Sequence, residues 1–201
     1  MKVNKDKYAK LNITRFHNWK PSEVNNKING PGNHLLPTNI LVTGITGCGI
    51  STLINSILQK CNIPISVWET AGIELFDYDS DSINVLLGEF RTLVSGEDRI
   101  DCIWYCKNAN YQRFGNLEEH FISDLKGLGI PLIIVLTECI SEKSGNRFQS
   151  AIASILDNNI PIIQVLAEEK KIEIDNDKIY VIPARGLDEL ISSTMNCISK
   201  E

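Results

Sequence analysis

The sequence has no hydrophobic run long enough to cross a membrane. A membrane-spanning helix needs about 20 consecutive apolar residues. The longest apolar runs, 130–137 and 160–167, have the length of buried strands. The opening residues, MKVNKDKYAKLN, also lack the apolar core of a secretory signal peptide. We therefore expect a cytoplasmic protein without a membrane span.

Histidine is scarce, and cysteine lacks the paired spacing of a metal site. The three histidines, His17, His34 and His120, are isolated in the sequence, which favours surface or packing roles over catalysis. The six cysteines are scattered and predict reduced, mostly buried thiols in a cytosolic protein. They stand at positions 48, 61, 102, 106, 139 and 197.

The chain also has fewer basic than acidic residues. The chain has 20 basic and 25 acidic residues, for a formal net charge of −5. A nucleic-acid-binding domain usually carries a clustered basic excess, so we do not expect a nucleic-acid partner.

A polar leader precedes a regular alternation of strands and helices. Residues 1–38 are rich in Lys and Asn, so we assign 1–38 to an N-terminal extension and 39–201 to one domain. The alternation predicts an α/β fold, a mainly parallel sheet with helices on both faces. The predicted strands are 39–44, 64–69, 100–106, 131–137 and 160–166, the helices are 51–60, 81–96, 116–127, 144–157 and 187–199, and 170–181 is typical of a hairpin.

Residues 39–56, NILVTGITGCGISTLINS, have the form of a phosphate-binding loop without its lysine. In the pattern G-x-x-x-x-G-K-[ST], backbone N–H groups cradle phosphates, the lysine reaches them and the hydroxyl holds Mg²⁺. Here Ile50 stands at the lysine position. The predicted phosphate-binding residues are Gly44, Gly47, Cys48, Gly49, Ile50, Ser51 and Thr52.

Later segments stand where GTPases carry their other motifs. The sequence WETAG at 68–72 looks like D-T-x-G, LTECI at 136–140 replaces the guanine-reading [NT]-K-x-D, and LAE at 166–168 lies where S-A-K follows. With IWYC at 103–106 and GLDEL at 186–190, residues 39–200 resemble Era-like bacterial P-loop GTPases of the TRAFAC class. The resemblance implies the three-layer P-loop NTPase sandwich. It places the D-x-x-G-like positions at Glu69 and Gly72, and the base-site positions at Thr137, Glu138, Ile140, Ala167 and Glu168.

The resemblance also implies a degenerate site, because the charged motif residues are the altered ones. Glu69 replaces an aspartate that orients Mg²⁺, and Glu138 replaces a lysine that packs along the base. Ile140 replaces the aspartate that accepts hydrogen bonds from guanine, and Glu168 stands where a lysine is common. We expect no catalytic residue. Ser51 and Glu69 would hold a metal only if Mg²⁺ is bound.

The spacing between motifs predicts a deletion. Only 18 residues separate Ile50 from Glu69, and the predicted helix and strand leave 61–63 as the connection. In GTPases this interval holds the first switch loop, with its Mg²⁺-binding threonine, and an antiparallel strand, whereas 53–68 contains no threonine. Segment 63–68 should therefore lie at a sheet edge that needs covering. We favour the leader, which carries Tyr8, Leu11, Ile13, Phe16 and Trp19, over a second copy or another partner.

Two functions remain open at this stage. The favoured hypothesis is a pseudo-GTPase that works as a binding or regulatory module, with another protein or a second copy of itself as partner. The alternative is a GTP-binding protein with weak or partner-assisted hydrolysis, in which another basic group replaces the lysine. No cofactor is required by the first hypothesis, and Mg²⁺ with GTP or GDP is implied by the second.

Overall fold

The sequence folds into alternating helices and strands. The computed structural model describes residues 13–18, 37–70, 80–95, 99–156, 159–174 and 178–199. The predicted helices are confirmed to within a few residues. They are α1 (Ile50–Lys60), α2 (Ser80–Ser95), α3 (Asn116–Lys126), α4 (Glu142–Ile155) and α5 (Leu187–Ile198).

The described strands form one six-stranded sheet and one separate hairpin. The strands of the large sheet are β1 (Thr14–His17), β2 (Thr38–Gly44), β3 (Ile65–Glu69), β4 (Cys102–Asn108), β5 (Leu132–Thr137) and β6 (Ile162–Gln164). Their order in the sheet is β1-β3-β2-β4-β5-β6, and all pairings are parallel except that of β1. The fold class expected from the sequence, a mainly parallel α/β sheet, is confirmed.

Helices cover both faces of this sheet because the central strands are apolar on both sides. Strand β2 shows the division, since Leu41 packs on one face whereas Ile40 and Val42 pack on the other. The first face is covered by α2, α3 and α4, and the second by α1 and α5. Parallel strands with helices on both faces place their carboxyl ends, and the loops that follow them, along one edge of the domain.

The leader contributes the strand that covers the predicted edge. β1 pairs antiparallel with β3, with Thr14 opposite Glu69 and His17 opposite Ser66. The Arg15 guanidinium lies 4.7 Å from the centre of the Trp68 ring, which adds a cation–π contact to the ladder. The connection between α1 and β3, residues 61–64, is short as expected and one residue longer than the predicted 61–63. An antiparallel strand therefore stands beside β3, but it comes from before the phosphate loop instead of after it.

Strands β7 (Lys170–Ile174) and β8 (Lys178–Ile182) form the expected hairpin as a two-stranded sheet of their own. Its predicted turn, 175–177, lies outside the described residues. A backbone bridge between Leu166 and Arg185 closes the base of the hairpin. Within the described residues, no helix is both long and apolar enough to span a membrane.

Candidate functional site

The glycine-rich turn between β2 and α1 has the backbone shape of a phosphate loop. Gly47 and Gly49 have φ of 78° and 86°, which only glycine adopts cheaply. At Gly44 a Cβ atom would lie 2.4 Å from the carbonyl oxygen of Cys106, so the packing of the loop against β4 also requires glycine. Helix α1 begins without a side-chain cap, which leaves its first N–H groups directed at the loop.

The loop encloses a cavity of about 340 Å³ that is bounded by residues 45–52 together with Glu69 and Thr70. Among the described residues that line the cavity, none carries a positive charge, and Glu69 carries a negative one. Burial raises the pKa of the Cys48 thiol to about 12, so this side chain is neutral. An anion in the cavity would thus meet backbone N–H donors and the positive end of a helix dipole, but no positively charged side chain among the described residues.

Ile50 is a packing residue at the position where the lysine would stand. Its side chain is only 7% exposed and belongs to the apolar cluster beneath the sheet, with Leu53 and Ile54 of the same helix. The structure therefore uses this position for the core, a packing role that the sequence analysis did not predict.

Ser51 and Glu69 come together at the mouth of the cavity. The Ser51 hydroxyl donates a hydrogen bond of 2.9 Å to Oε1 of Glu69. A hydroxyl and a carboxylate are oxygen ligands of the kind that Mg²⁺ takes together with substrate phosphates, so the two residues fit the ion. No cluster of three or more His, Cys, Asp or Glu that could hold a metal occurs within the described residues.

The D-x-x-G-like segment is partly described. Thr70 is buried, its N–H donates to the carbonyl of Val42 at 3.1 Å, and its hydroxyl donates to Thr43 Oγ1 at 3.1 Å. These bonds fix the end of β3 beside the phosphate loop. Gly72 lies outside the described residues.

The base-site segment is tied directly to the phosphate loop. Thr137 is buried, and its hydroxyl donates to the carbonyl oxygen of Cys48. Glu138 has a positive φ of 53°, and its side chain lies over Gly49, where an added Cβ would be 3.6 Å from Glu138 Cγ. Glu138 thus packs along the loop at the position where the resemblance implies a lysine.

An ion pair that sequence reasoning missed accompanies Glu138. Nζ of Lys170, the first residue of the hairpin, lies 2.9 Å from Glu138 Oε2. The local sequence gives no signal for this contact, because the partners are far apart along the chain and only the hairpin brings them together. The Glu138 carboxylate therefore has a cation beside it.

The other base-site residues offer little for reading guanine. Ile140 is half-buried and has no side-chain acceptor, Ala167 is buried and Glu168 is exposed. Arg185, also missed from the sequence, donates through Nη2 to the carbonyl of Cys139 at 2.7 Å and through Nη1 to Glu142 at 2.6 Å. From its place just before α5, Arg185 holds the base-site segment in position.

A buried polar group lies behind the loop. Lys107 Nζ is 2.9 Å from Glu118 Oε2, and the Tyr105 hydroxyl donates to Oε1 of the same carboxylate at 2.9 Å. Burial, and then the charge of Glu118, raise the pKa of Tyr105. The Lys107 ammonium is paired inside the protein and does not line the cavity.

Comparison with known proteins identifies the fold. No protein-family model and no curated protein matches the chain. One similar solved structure is of the chloroplast translocon components atToc33 and psToc159, for whose GTPase activity dimerisation is important. It has a TM-score of 0.61 and 13% identity, over 82% of this chain and 84% of that one. A probable GTP-binding protein engB gives a TM-score of 0.59 and 13% identity, over 82% of this chain and 100% of that one.

Aquifex aeolicus Era with GDP and aluminium fluoride gives a TM-score of 0.56 and 16% identity, over 79% of this chain and 56% of that one. At such low identities, these similarities concern the fold. The chain has the α/β fold of a P-loop GTPase domain.

Proposed function

We propose that this chain is a cytoplasmic pseudo-GTPase, a G-domain that has lost GTP hydrolysis and works as a binding or regulatory module. One observation carries the proposal. The phosphate loop has the glycine geometry and the open helix start of a phosphate site, but the described residues around its cavity carry the negative charge of Glu69 and no positive charge, because Ile50 packs into the core.

The remaining groups support weak anion binding and little more. The amides of 47–51 would hold phosphate, and Ser51 with Glu69 would hold Mg²⁺, which supplies charge neutralisation to phosphates when bound. Transfer of the terminal phosphoryl group also needs a cation that stabilises the developing charge. Charge-assisted hydrogen bonds contribute about 1.5–3 kcal/mol each, so the loss of two weakens binding by roughly 10²–10⁴-fold.

Base selection should be lost together with affinity. Ile140 cannot accept a hydrogen bond from guanine, and the carboxylate of Glu138 is paired with Lys170. Calorimetric titration with GTP and with ATP, each with Mg²⁺, tests this. We expect dissociation constants within about threefold of each other, since a hydrogen-bonded base site discriminates far more strongly than an apolar one. A large guanine preference would show that another residue reads the base.

The alternative function, GTP binding with weak or partner-assisted hydrolysis, has one observation in its favour. The Ser51–Glu69 pair keeps both oxygen ligands of a Mg²⁺ site in contact at 2.9 Å. Multiple-turnover assays with Mg²⁺-GTP discriminate the two functions, because the pseudo-GTPase hypothesis predicts no release of phosphate above a no-protein control.

The hairpin is the surface that we propose for partner binding. Four of its large apolar residues are exposed, Ile172, Ile179, Tyr180 and Val181. An isolated two-stranded sheet is marginal in water, so a partner strand would stabilise it. We propose that this partner strand comes from a second copy of this chain and not from another protein. Antiparallel pairing of two β8 strands about Tyr180 would place Ile179 opposite Val181 of the second copy and keep the two Lys178 residues apart.

A further inference from the structure

Strand β6 forms the outer edge of the large sheet at the end opposite to β1. On its inner side, the carbonyl of Pro161 and the N–H of Val165 bond to β5 at 2.9 and 2.8 Å. The backbone groups of successive residues in a strand point to opposite sides, so those of Ile162 and Gln164 point away from β5. An edge of this kind presents backbone groups to which another chain can bind.

The chain begins to cover this edge and then leaves it. Leu166 and Arg185 exchange two backbone hydrogen bonds, of 3.0 and 2.9 Å, in an antiparallel bridge. Continued pairing would place the following residues opposite Gln164 and then Ile162. Gly186, with a φ of 81°, instead turns the chain into α5. A Cβ atom there would clash with the carbonyl oxygen of Gln164, so this turn requires glycine.

A cavity of about 350 Å³ between α4, β6 and the start of α5 occupies the place where that strand would continue. The N–H groups of Ile162 and Gln164 form no hydrogen bond with a described residue. The carbonyl of Ile162 accepts from Nε2 of Gln149 at 3.1 Å, and Oε1 of Gln149 accepts from the Gln164 side chain at 2.7 Å. Because the Gln164 carbonyl lies against Gly186, this stretch of β6 offers two backbone donors and no open acceptor.

The lining of this cavity carries an excess of negative charge. Nη1 of Arg185 lies 2.6 Å from Oε1 of Glu142, so these two charges are paired. Glu189 lines the same cavity, is exposed and forms no ion pair with a described residue. A basic side chain on a bound segment would therefore meet an unpaired carboxylate.

We propose that this cavity binds an extended, basic, proline-containing segment of a partner protein, and that the segment adds a strand to β6. Its carbonyls would accept from the N–H groups of Ile162 and Gln164, which lie about 6.6 Å apart, the spacing of alternate carbonyls in an extended chain. Proline has no N–H that would need the occupied carbonyl of Ile162, and it holds the preceding residue extended. The site shares no lining residue with the phosphate cavity, so the inference does not depend on the pseudo-GTPase proposal.

The test is an NMR titration of the isotopically labelled full chain with the peptide acetyl-KPVPK-amide. Its prolines stand at alternate positions, so that both can face β6. Acetyl-KAVAK-amide restores the two N–H groups, and acetyl-EPVPE-amide reverses the charge. Glu189→Lys changes the charge of the cavity. Glu173→Lys is the matched control, because Glu173 is an exposed residue of β7 outside the cavity.

We expect saturable shifts of the Ile162 and Gln164 amide signals with acetyl-KPVPK-amide. Acetyl-KAVAK-amide should bind about threefold or more weakly, because it has N–H groups without acceptors and is less preorganised. Acetyl-EPVPE-amide should not reach saturation. Glu189→Lys should weaken binding of acetyl-KPVPK-amide about threefold or more, and Glu173→Lys should change it by less than about twofold.

Unchanged Ile162 and Gln164 signals at millimolar acetyl-KPVPK-amide would overturn the inference. Equal affinities of the proline and alanine peptides, saturable binding of the acidic peptide, or equal affinities of the two glutamate variants would do the same. If the two signals shift with protein concentration alone, a second copy covers the edge and the inferred partner is wrong. None of these results bears on the pseudo-GTPase proposal, which the titrations with GTP and ATP test separately.

Discussion

At the scale of single residues, Ile50 stands where the phosphate-loop pattern has a lysine. A lysine there would extend towards bound phosphate. The Ile50 side chain instead packs in the apolar cluster beneath the sheet and is only 7% exposed. Burial of an isoleucine side chain contributes about 1.5–3 kcal/mol. The residue now stabilises the domain.

Restoring the lysine alone should not create a GTPase. In Ile50→Lys the new ammonium would meet an apolar cluster, so we expect the free energy of unfolding to fall by about 2 kcal/mol or more. Turnover should stay at background, because Glu138 and Ile140 still occupy the base site. Urea denaturation and a phosphate-release assay measure the two effects.

Thr46→Lys is the matched control, since Thr46 is an exposed residue of the same cavity. It adds the same charge without disturbing the core and should leave the stability unchanged. Robust turnover by Ile50→Lys would mean that the rest of the catalytic machinery is present.

At the scale of secondary-structure elements, β1 pairs with β3 at the edge where the resemblance to GTPases implies an antiparallel strand from the other side of the phosphate loop. The side chain of Asn18 adds to the ladder between β1 and β3. Asn18 Nδ2 donates to the carbonyls of Cys61 and Ile63 at 3.0 and 2.9 Å, and Asn18 Oδ1 accepts from the N–H of Ile65 at 3.0 Å. The leader thereby satisfies the backbone groups of the shortened connection between α1 and β3.

Replacing Asn18 with Ala should remove all three bonds and leave part-buried backbone groups without partners. We expect the free energy of unfolding to drop by roughly 1–3 kcal/mol, measured by urea denaturation. Asn62→Ala is the control, because Asn62 is an exposed asparagine of the same connection. Equal stability of the two variants would mean that the three Asn18 bonds contribute nothing to the edge that β1 covers.

Local sequence patterns were enough to predict the helices and strands. The short interval between positions 50 and 69 was enough to predict that the leader pairs with the edge strand β3. Glycine spacing gave the phosphate loop, and the absence of a switch segment between Ile50 and Glu69 gave a strand edge that needed a cover. The pairing of Lys170 with Glu138 could not be predicted, because it depends on where the hairpin lies. The same holds for Arg185, whose contacts join residues that are distant in sequence and near only in the fold.

At the scale of the whole molecule, the exposed hairpin should cause self-association. Tyr180→Ser removes a 66% exposed aromatic from the proposed contact, whereas Tyr111→Ser removes one that is 70% exposed elsewhere. We expect sedimentation equilibrium to show a dimer for the unchanged protein and for Tyr111→Ser, and a monomer for Tyr180→Ser. If the unchanged protein stays monomeric at the highest concentrations, a second copy is excluded as the partner.

The affinity for Mg²⁺-GTP tests the proposed loss of GTPase function most directly. This affinity depends on the phosphate loop, on the lack of a lysine at position 50 and on the base-site residues together. The measurement uses the unchanged protein, so the ion pairs Lys170–Glu138 and Lys107–Glu118 stay intact. Calorimetry should give a dissociation constant weaker than about 1 μM, which corresponds to less than about 8 kcal/mol of binding free energy. A dissociation constant at or below that value, with GTP favoured over ATP, would contradict the pseudo-GTPase proposal.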